Sequence, residues 1–176
     1  MKSKALPIRF NRIWAMPNKY TFAIPPIYEF IFDHINSDGI ERRYKTIVDP
    51  FCGSSLIANI RNDMRESGVE SLDWLMSMKS ASADVVLFDP PYSPRQKKEC
   101  YDDVGVHLSD TTSGYWAELK DEIARITKPG GLVLSFGWNS NGIGMSRSFR
   151  IIEPGLIVAH GGNHNDTMCT AERKIT

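Results

Sequence analysis

Cysteine is scarce. Cys52, Cys100 and Cys169 are odd in number, far apart and without any C-x-x-C pair. This excludes a disulfide framework and a zinc knuckle and points to a reducing, cytoplasmic setting. Long apolar runs are missing as well. No stretch approaches the ~20 residues that a membrane span requires. Met1-Lys2-Ser3-Lys4 leads into no long apolar stretch of the kind a secretory signal needs. Neither sign of charge is in excess, since 21 Lys and Arg balance 21 Asp and Glu. Proteins that coat nucleic acid carry a basic surplus, so any nucleic-acid contact here must rest on local basic clusters. There is no internal repeat and no low-complexity tract. The length fits one domain with a sizeable core, expected to span residues 1–176.

What is present is a regular alternation of apolar periods. Residues 1–19 mix Arg9, Arg12 and Lys19 with Phe10, Trp14 and Pro17 and read as an irregular arm. Residues 26–36 carry Ile27, Phe30, Ile31 and Ile35 at helical spacing, with Pro26 in the first turn. The basic patch Arg42-Arg43-Tyr44-Lys45 leads into a strand at about 46–50, and a second short strand is expected at 57–62. A helix over about 70–78 places Leu72, Leu75 and Met76 on one face. A strand at 84–88 follows. Residues 93–112 are polar without a clear period, and connections of that length are usually functional loops. Trp116, Leu119, Ile123 and Ile126 mark a helix over 113–127, closed by Lys128-Pro129-Gly130-Gly131 before a strand at 132–136. Residues 150–160 and 167–174 read as a terminal hairpin. Strands separated by helices predict an α/β fold with a mostly parallel sheet, and the hairpin adds an antiparallel edge.

The most informative residues are Asp89-Pro90-Pro91-Tyr92, directly after the apolar run Asp84-Val85-Val86-Leu87-Phe88. Ligands of open α/β sheets bind at the C-terminal edge of the strands, and the turn is placed there. Two prolines fix φ and remove two N–H donors, which leaves the Pro90 carbonyl to accept from a substrate. A carboxylate, a rigid carbonyl and a ring suit the grip of a planar base and its exocyclic amine. A second loop of this kind, Asp49-Pro50-Phe51-Cys52-Gly53-Ser54-Ser55, follows the run Ile47-Val48. His160, His164, Asp166 and Cys169 could ligate a metal, but the Gly and Asn residues among them fit hairpin chemistry, and no metal is expected.

The two loops, in this order, resemble those of the amino-methyltransferases of nucleic acids, over about residues 20 to 174. In that family a DPF-x-G-x-G-like loop binds S-adenosylmethionine (SAM) and a D-P-P-Y loop binds the target base. The motif order is that of the gamma type. The resemblance implies a SAM-methyltransferase sheet and a catalytic set of Asp89, Pro90, Pro91 and Tyr92. It implies cofactor contacts from Asp49, Phe51 and Gly53, from Asp63 to the ribose hydroxyls, and from Phe22 and Ile24 before Pro25-Pro26. Glu70 fits either an acid on the cofactor's adenine amine or a helix N-terminal acid. Two departures stand out. Ser55 replaces the family's second glycine, and only nine residues separate Gly53 from Asp63, too few for the usual helix.

The implied activity is methylation of adenine N6 in DNA, with cytosine N4 or RNA adenine as rival substrates. A non-catalytic binding protein that kept the fold is the rival of another class. Adenine N6 is a poor nucleophile because its lone pair is delocalised into the ring. Accepting both of its N–H groups, at the Asp89 carboxylate and the Pro90 carbonyl, localises that pair. Tyr92 is the ring expected to stack on a flipped base. Arg95, Lys97 and Lys98, just after the turn, are expected phosphate contacts. Phe136 to Gly142, with Trp138 and Asn139, could border the base pocket. No room is left for a separate target-recognition domain, and a homodimer on duplex DNA is expected to supply the missing grip.

Overall fold

A computed structural model of the chain describes residues 7–36, 45–91 and 114–175. Seven strands form one sheet: β1 (Phe10–Trp14), β2 (Ile47–Asp49), β3 (Ile60–Arg61), β4 (Ala83–Phe88), β5 (Thr127–Gly137), β6 (Phe149–Ala159) and β7 (Thr167–Lys174). Among the described residues four α-helices accompany them: α1 (Pro25–Ile35), α2 (Met64–Ser67), α3 (Ser71–Ser77) and α4 (Tyr115–Ile126). The strand order is β1-β6-β7-β5-β4-β2-β3. Every neighbour pair is parallel except the two that involve β7, which runs against β5 and β6. The expected mostly parallel sheet with an antiparallel hairpin is the observed fold.

The period-2 alternation of the strands sends residues to two cores. Ile47, Val85, Leu87, Leu132, Leu134 and Phe136 face the α1 side, where Ile27, Phe30, Ile31 and Ile35 are buried against them. Val48, Val86, Phe88 and Val133 face the other side, under Leu75 of α3 and Tyr115, Leu119, Ile123 and Ile126 of α4. Both faces are covered, which is why these strands read as continuous apolar runs. Met76, expected on the buried face of α3, is 61% exposed; Leu75 carries that contact and Leu72 lies at its margin.

The N-terminal arm is a correction. Phe10–Trp14 is a strand, paired in parallel with β6 from Phe10↔Gly155 to Trp14↔Ala159. Four of its five residues are exposed, so no alternation marks it in the sequence. Its fit depends on a residue 145 positions away: Gly155 has no side chain, and the Phe10 ring occupies the space where a Cβ would stand. The second expected strand is also shorter than 57–62. Only Ile60–Arg61 joins the ladder. Asn59 is spent on bracketing β2 instead: its Oδ1 accepts from Ile47 N (2.8 Å) and its Nδ2 donates to Lys45 O (2.7 Å).

Strand order reverses at β2, which has β3 on one side and β4 on the other. A crevice opens outside the carboxyl ends of strands at such a switch point. The loops that follow β2 and β4 are Asp49–Ser55 and Asp89–Pro91.

Candidate active site

The loop after β2 turns without a helix, as the nine-residue spacing implies. Cys52 N donates to Asn62 O (3.1 Å) and Ser55 N to Cys52 O (2.8 Å), so the loop folds back toward the end of β3. Ser71 Oγ, at the start of α3, donates to Pro50 O (2.8 Å) and holds the loop's other side. Gly53 has φ +50°, a left-handed conformation that glycine adopts without strain. A Cβ there would meet nothing within 4 Å, so handedness is what this position demands.

A cleft of about 1170 Å³ opens above this loop. Phe51, Cys52, Gly53, Ser54 and Ser55 line one side, and Phe22 and α1 the other. Asp89 also lines it. Sequence reasoning did not anticipate Tyr20, Tyr28 and Phe32, which line the cleft too. Tyr28 and Phe32 are stacked one helical turn apart, with ring centroids 6.3 Å apart, and about half of each is exposed. The available signal was an aromatic i, i+4 pair on α1 flanking its apolar stripe, beside Ile31 and Ile35, which line the same cleft. Ile24 is buried in the α1-side core and does not line the cleft.

Asp49 is fully buried at the end of β2. Its Oδ1 accepts from Phe51 N (3.0 Å), while its Oδ2 has no hydrogen-bond partner among the described residues. Burial is the main force that pushes its carboxyl up to about 8. The Phe51 N–H opposes this, the neighbouring Asp89 and Asp63 charges reinforce it, and Arg61 opposes it. Asp49 and Asp89 thus sense each other across the switch point.

The turn after β4 is braced from α4. Trp116 Nε1 donates to Pro91 O (3.1 Å). The Pro90 carbonyl receives no hydrogen bond from the described residues. On the α4 side of this turn lies a second cavity, of about 280 Å³, lined by Pro90, Trp116, Lys120, Ser135, Trp138 and Asn139 among others. The segment Phe136–Gly142 therefore does border a pocket at this edge.

Asp63 and Glu70 do not line the cleft. Asp63 is the N-cap of α2, with Oδ1 accepting from Arg65 N (2.8 Å). Glu70 is the N-cap of α3: Oε2 accepts from Leu72 N (2.7 Å) and Oε1 from the Tyr115 hydroxyl. Of its two readings, the helix N-terminal acid is the one the structure realises. His160 is similarly committed, with Nδ1 donating to Ala15 O (2.9 Å) and Nε2 paired with Thr167 Oγ1 (2.9 Å). Tyr92, Arg95, Lys97 and Lys98 lie outside the described residues.

No protein-family model and no curated protein matches the chain. Solved structures do. One is the Escherichia coli protein named "Putative methyltransferase yhhF", with 10% identity and a TM-score of 0.54, over 91% of this chain and 90% of that one. Another is Burkholderia thailandensis 1,6-didemethyltoxoflavin-N1-methyltransferase, whose structure holds 1,6-didemethyltoxoflavin and S-adenosylhomocysteine. It is 11% identical with a TM-score of 0.53, over 86% of this chain and 77% of that one. At these identities the likeness is one of fold: the chain has the Rossmann-like fold of these methyltransferases.

Proposed function

We propose that this protein transfers a methyl group from SAM to an exocyclic amine of a nucleic-acid base, with adenine N6 in DNA as the substrate. One observation carries the reading. A single cleft is lined both by the Phe51–Ser55 loop and by Asp89 of the Asp-Pro-Pro turn.

The residues present fit the cofactor. Asp49 is fully buried and does not itself line the cleft, but its Oδ2 has no partner among the described residues, beneath a loop whose backbone is turned by Gly53. An ammonium group is the complement of that oxygen. Phe51 and Phe22 supply apolar walls, with Ile24 packed behind Phe22 in the same core. Asp63 caps α2 through Oδ1 and does not line the cleft, so its assignment to the ribose hydroxyls rests on the motif alone. When bound, SAM supplies a sulfonium-activated methyl carbon.

The chain's own contribution is positioning and electrostatics. The Asp89 carboxylate and the Pro90 carbonyl accept the two N–H groups of the amine, which turns its lone pair out of the ring's conjugation. The Trp116 bond to Pro91 O braces the turn that carries both acceptors as the substrate enters. Tyr92 stacks on the base, and Arg95, Lys97 and Lys98 contact flanking phosphates. A homodimer would widen the grip on duplex DNA, and light scattering of the protein with a duplex measures it.

The test is methyl transfer from labelled SAM to oligonucleotides with and without adenine. Label is expected at N6 of adenine, absent with Asp89→Ala, while calorimetry shows SAM affinity retained by that variant. Full activity in Asp89→Ala would refute the role of the turn. Label on cytosine N4 alone would move the substrate to the other base.

A further inference from the structure

The smaller cavity beside Pro90 holds polar groups that the proposed reaction leaves unused. Ser135 interrupts the apolar strand Leu132-Val133-Leu134-Ser135-Phe136 and pairs with Phe88 of β4. Its Oγ is buried without any hydrogen-bond partner among the described residues. A hydroxyl in that state is costly unless something supplies a partner. Ser135 lines this cavity, so a molecule held there could supply one.

Other groups in this cavity are donors as well. Lys120 lies one helical turn beyond Trp116 on α4, half-buried, with no hydrogen bond or ion pair among the described residues. Asn139 already accepts at Oδ1 from Asn141 N (3.0 Å), which leaves its N–H groups. Against these donors stands the Pro90 carbonyl, an acceptor without a donor among the described residues. Trp116 and Trp138 form part of the aromatic wall. An acceptor beside donors between flat apolar walls complements a heterocycle that carries an N–H next to a ring nitrogen.

Resting on the methyl-transfer reading above, we infer that Ser135 is a specificity-determining residue that donates a hydrogen bond to the ring nitrogen flanking the methylated amine. Lys120 assists from the cavity's α4 side. The large cleft then serves the methyl donor and the small cavity serves the ring, and the two meet at the Asp89–Pro90 step. A carbocyclic or benzenoid amine, which lacks the ring acceptor, leaves the Ser135 hydroxyl unpaired and is rejected.

The test couples a side chain to a ring atom. Deoxyadenosine, 1-deaza-deoxyadenosine and 7-deaza-deoxyadenosine are titrated by calorimetry into protein saturated with S-adenosylhomocysteine. Wild type is expected to bind the analogue that lacks the flanking nitrogen, 1-deaza-deoxyadenosine, about tenfold more weakly than deoxyadenosine, the effect typical of an unpaired buried donor. Ser135→Ala should bind deoxyadenosine about tenfold more weakly and no longer distinguish that analogue. Because no described residue pairs with the hydroxyl, Ser135→Ala should melt no lower than wild type. Ser135→Cys, which keeps the volume with a weaker donor, should give an intermediate affinity and serves if the alanine variant misfolds. Equal binding of all three nucleosides by wild type, unchanged discrimination in Ser135→Ala, or no binding of deoxyadenosine would each overturn the inference. Methyl-transfer assays on oligonucleotides run in parallel. Transfer to adenine with no Ser135 coupling defeats this inference alone, whereas coupling without transfer to any base defeats the reaction and leaves the ring site standing.

Discussion

The carboxylate of Glu172 occupies the space that a side chain at Gly142 would need. Glu172 reaches there from β7, buried, and accepts from Ile143 N (2.6 Å) and Gly144 N (3.0 Å). Burial holds its carboxyl above the usual range, opposed by these two N–H groups and by Lys120. The loop over 138–144 is therefore pinned to the sheet by one side chain, and this loop borders the small cavity. Gly142 also has φ +50°. Gly142→Ala is expected to destabilise the protein by about 2–4 kcal/mol, from left-handed strain plus a displaced buried carboxylate. Urea unfolding measures this, and a change under 1 kcal/mol would show that the loop simply shifts.

Asp49 makes the protein's stability and its ligand affinity depend on pH in opposite senses. Its folded pKa of about 8 lies above the ordinary aspartate value, so the folded chain holds a proton that the unfolded chain has lost. Stability therefore falls as pH rises through the window between those two values. Asp49→Asn removes this dependence, and its melting temperature at pH 8 is expected to exceed that of wild type. Binding of an ammonium ligand requires the ionised form, so SAM should bind wild type more tightly at pH 8 than at pH 6. The variant should bind more weakly at both and show no such rise. Paired melting curves and titrations at the two pH values settle both halves.

Asp63 can be separated into a cap and a charge. Asparagine caps a helix as well as aspartate does, so Asp63→Asn should leave unfolding unchanged within about 0.5 kcal/mol. If Asp63 also accepts from the cofactor's ribose, the same variant weakens SAM binding by about 1–3 kcal/mol. Calorimetry with unchanged affinity would confine Asp63 to its cap.

Cys52 borders the cleft, and its thiol is pushed up to about 11, first by burial and then by Asp49 and Asp63. The thiolate is the reactive form. Cys52 is expected to react with iodoacetamide at pH 7.5 much more slowly than a free thiol, and more slowly still when SAM fills the cleft. Peptide mapping of the labelled protein reports it. Rapid labelling that SAM does not affect would place Cys52 outside the ligand's reach.

The parts legible in the sequence are those with local signatures. The stripes Ile27-Phe30-Ile31-Ile35 and Leu119-Ile123-Ile126 are periodic and bury as read. Asp89-Pro90-Pro91 and Phe51-Cys52-Gly53 are contiguous, and strand-edge placement follows from the apolar runs before them. The illegible parts depend on partners distant in sequence. Phe10 becomes a strand residue through Gly155, and Glu172 becomes a loop anchor through Gly142. Glu70 resolved toward its cap because Tyr115, 45 positions later, takes its second oxygen. Ser135 did leave a trace, a hydroxyl within an apolar strand, but a strand serine signals a ligand only once its lack of a partner is known.

The pairing of β1 with β6 has a practical side. β6 is the longest outer-half strand, with 11 residues, and β1 covers five of its positions. Unpaired N–H and C=O groups along a strand recruit other chains. A shortened protein that starts near residue 20 would keep both motif loops and the four described helices, yet offer that bare ladder to its neighbours. It should behave as a chain competent for ligands but prone to sticking together. Solution scattering over a concentration series would see growing particles from the shortened protein where the full-length chain stays constant in size.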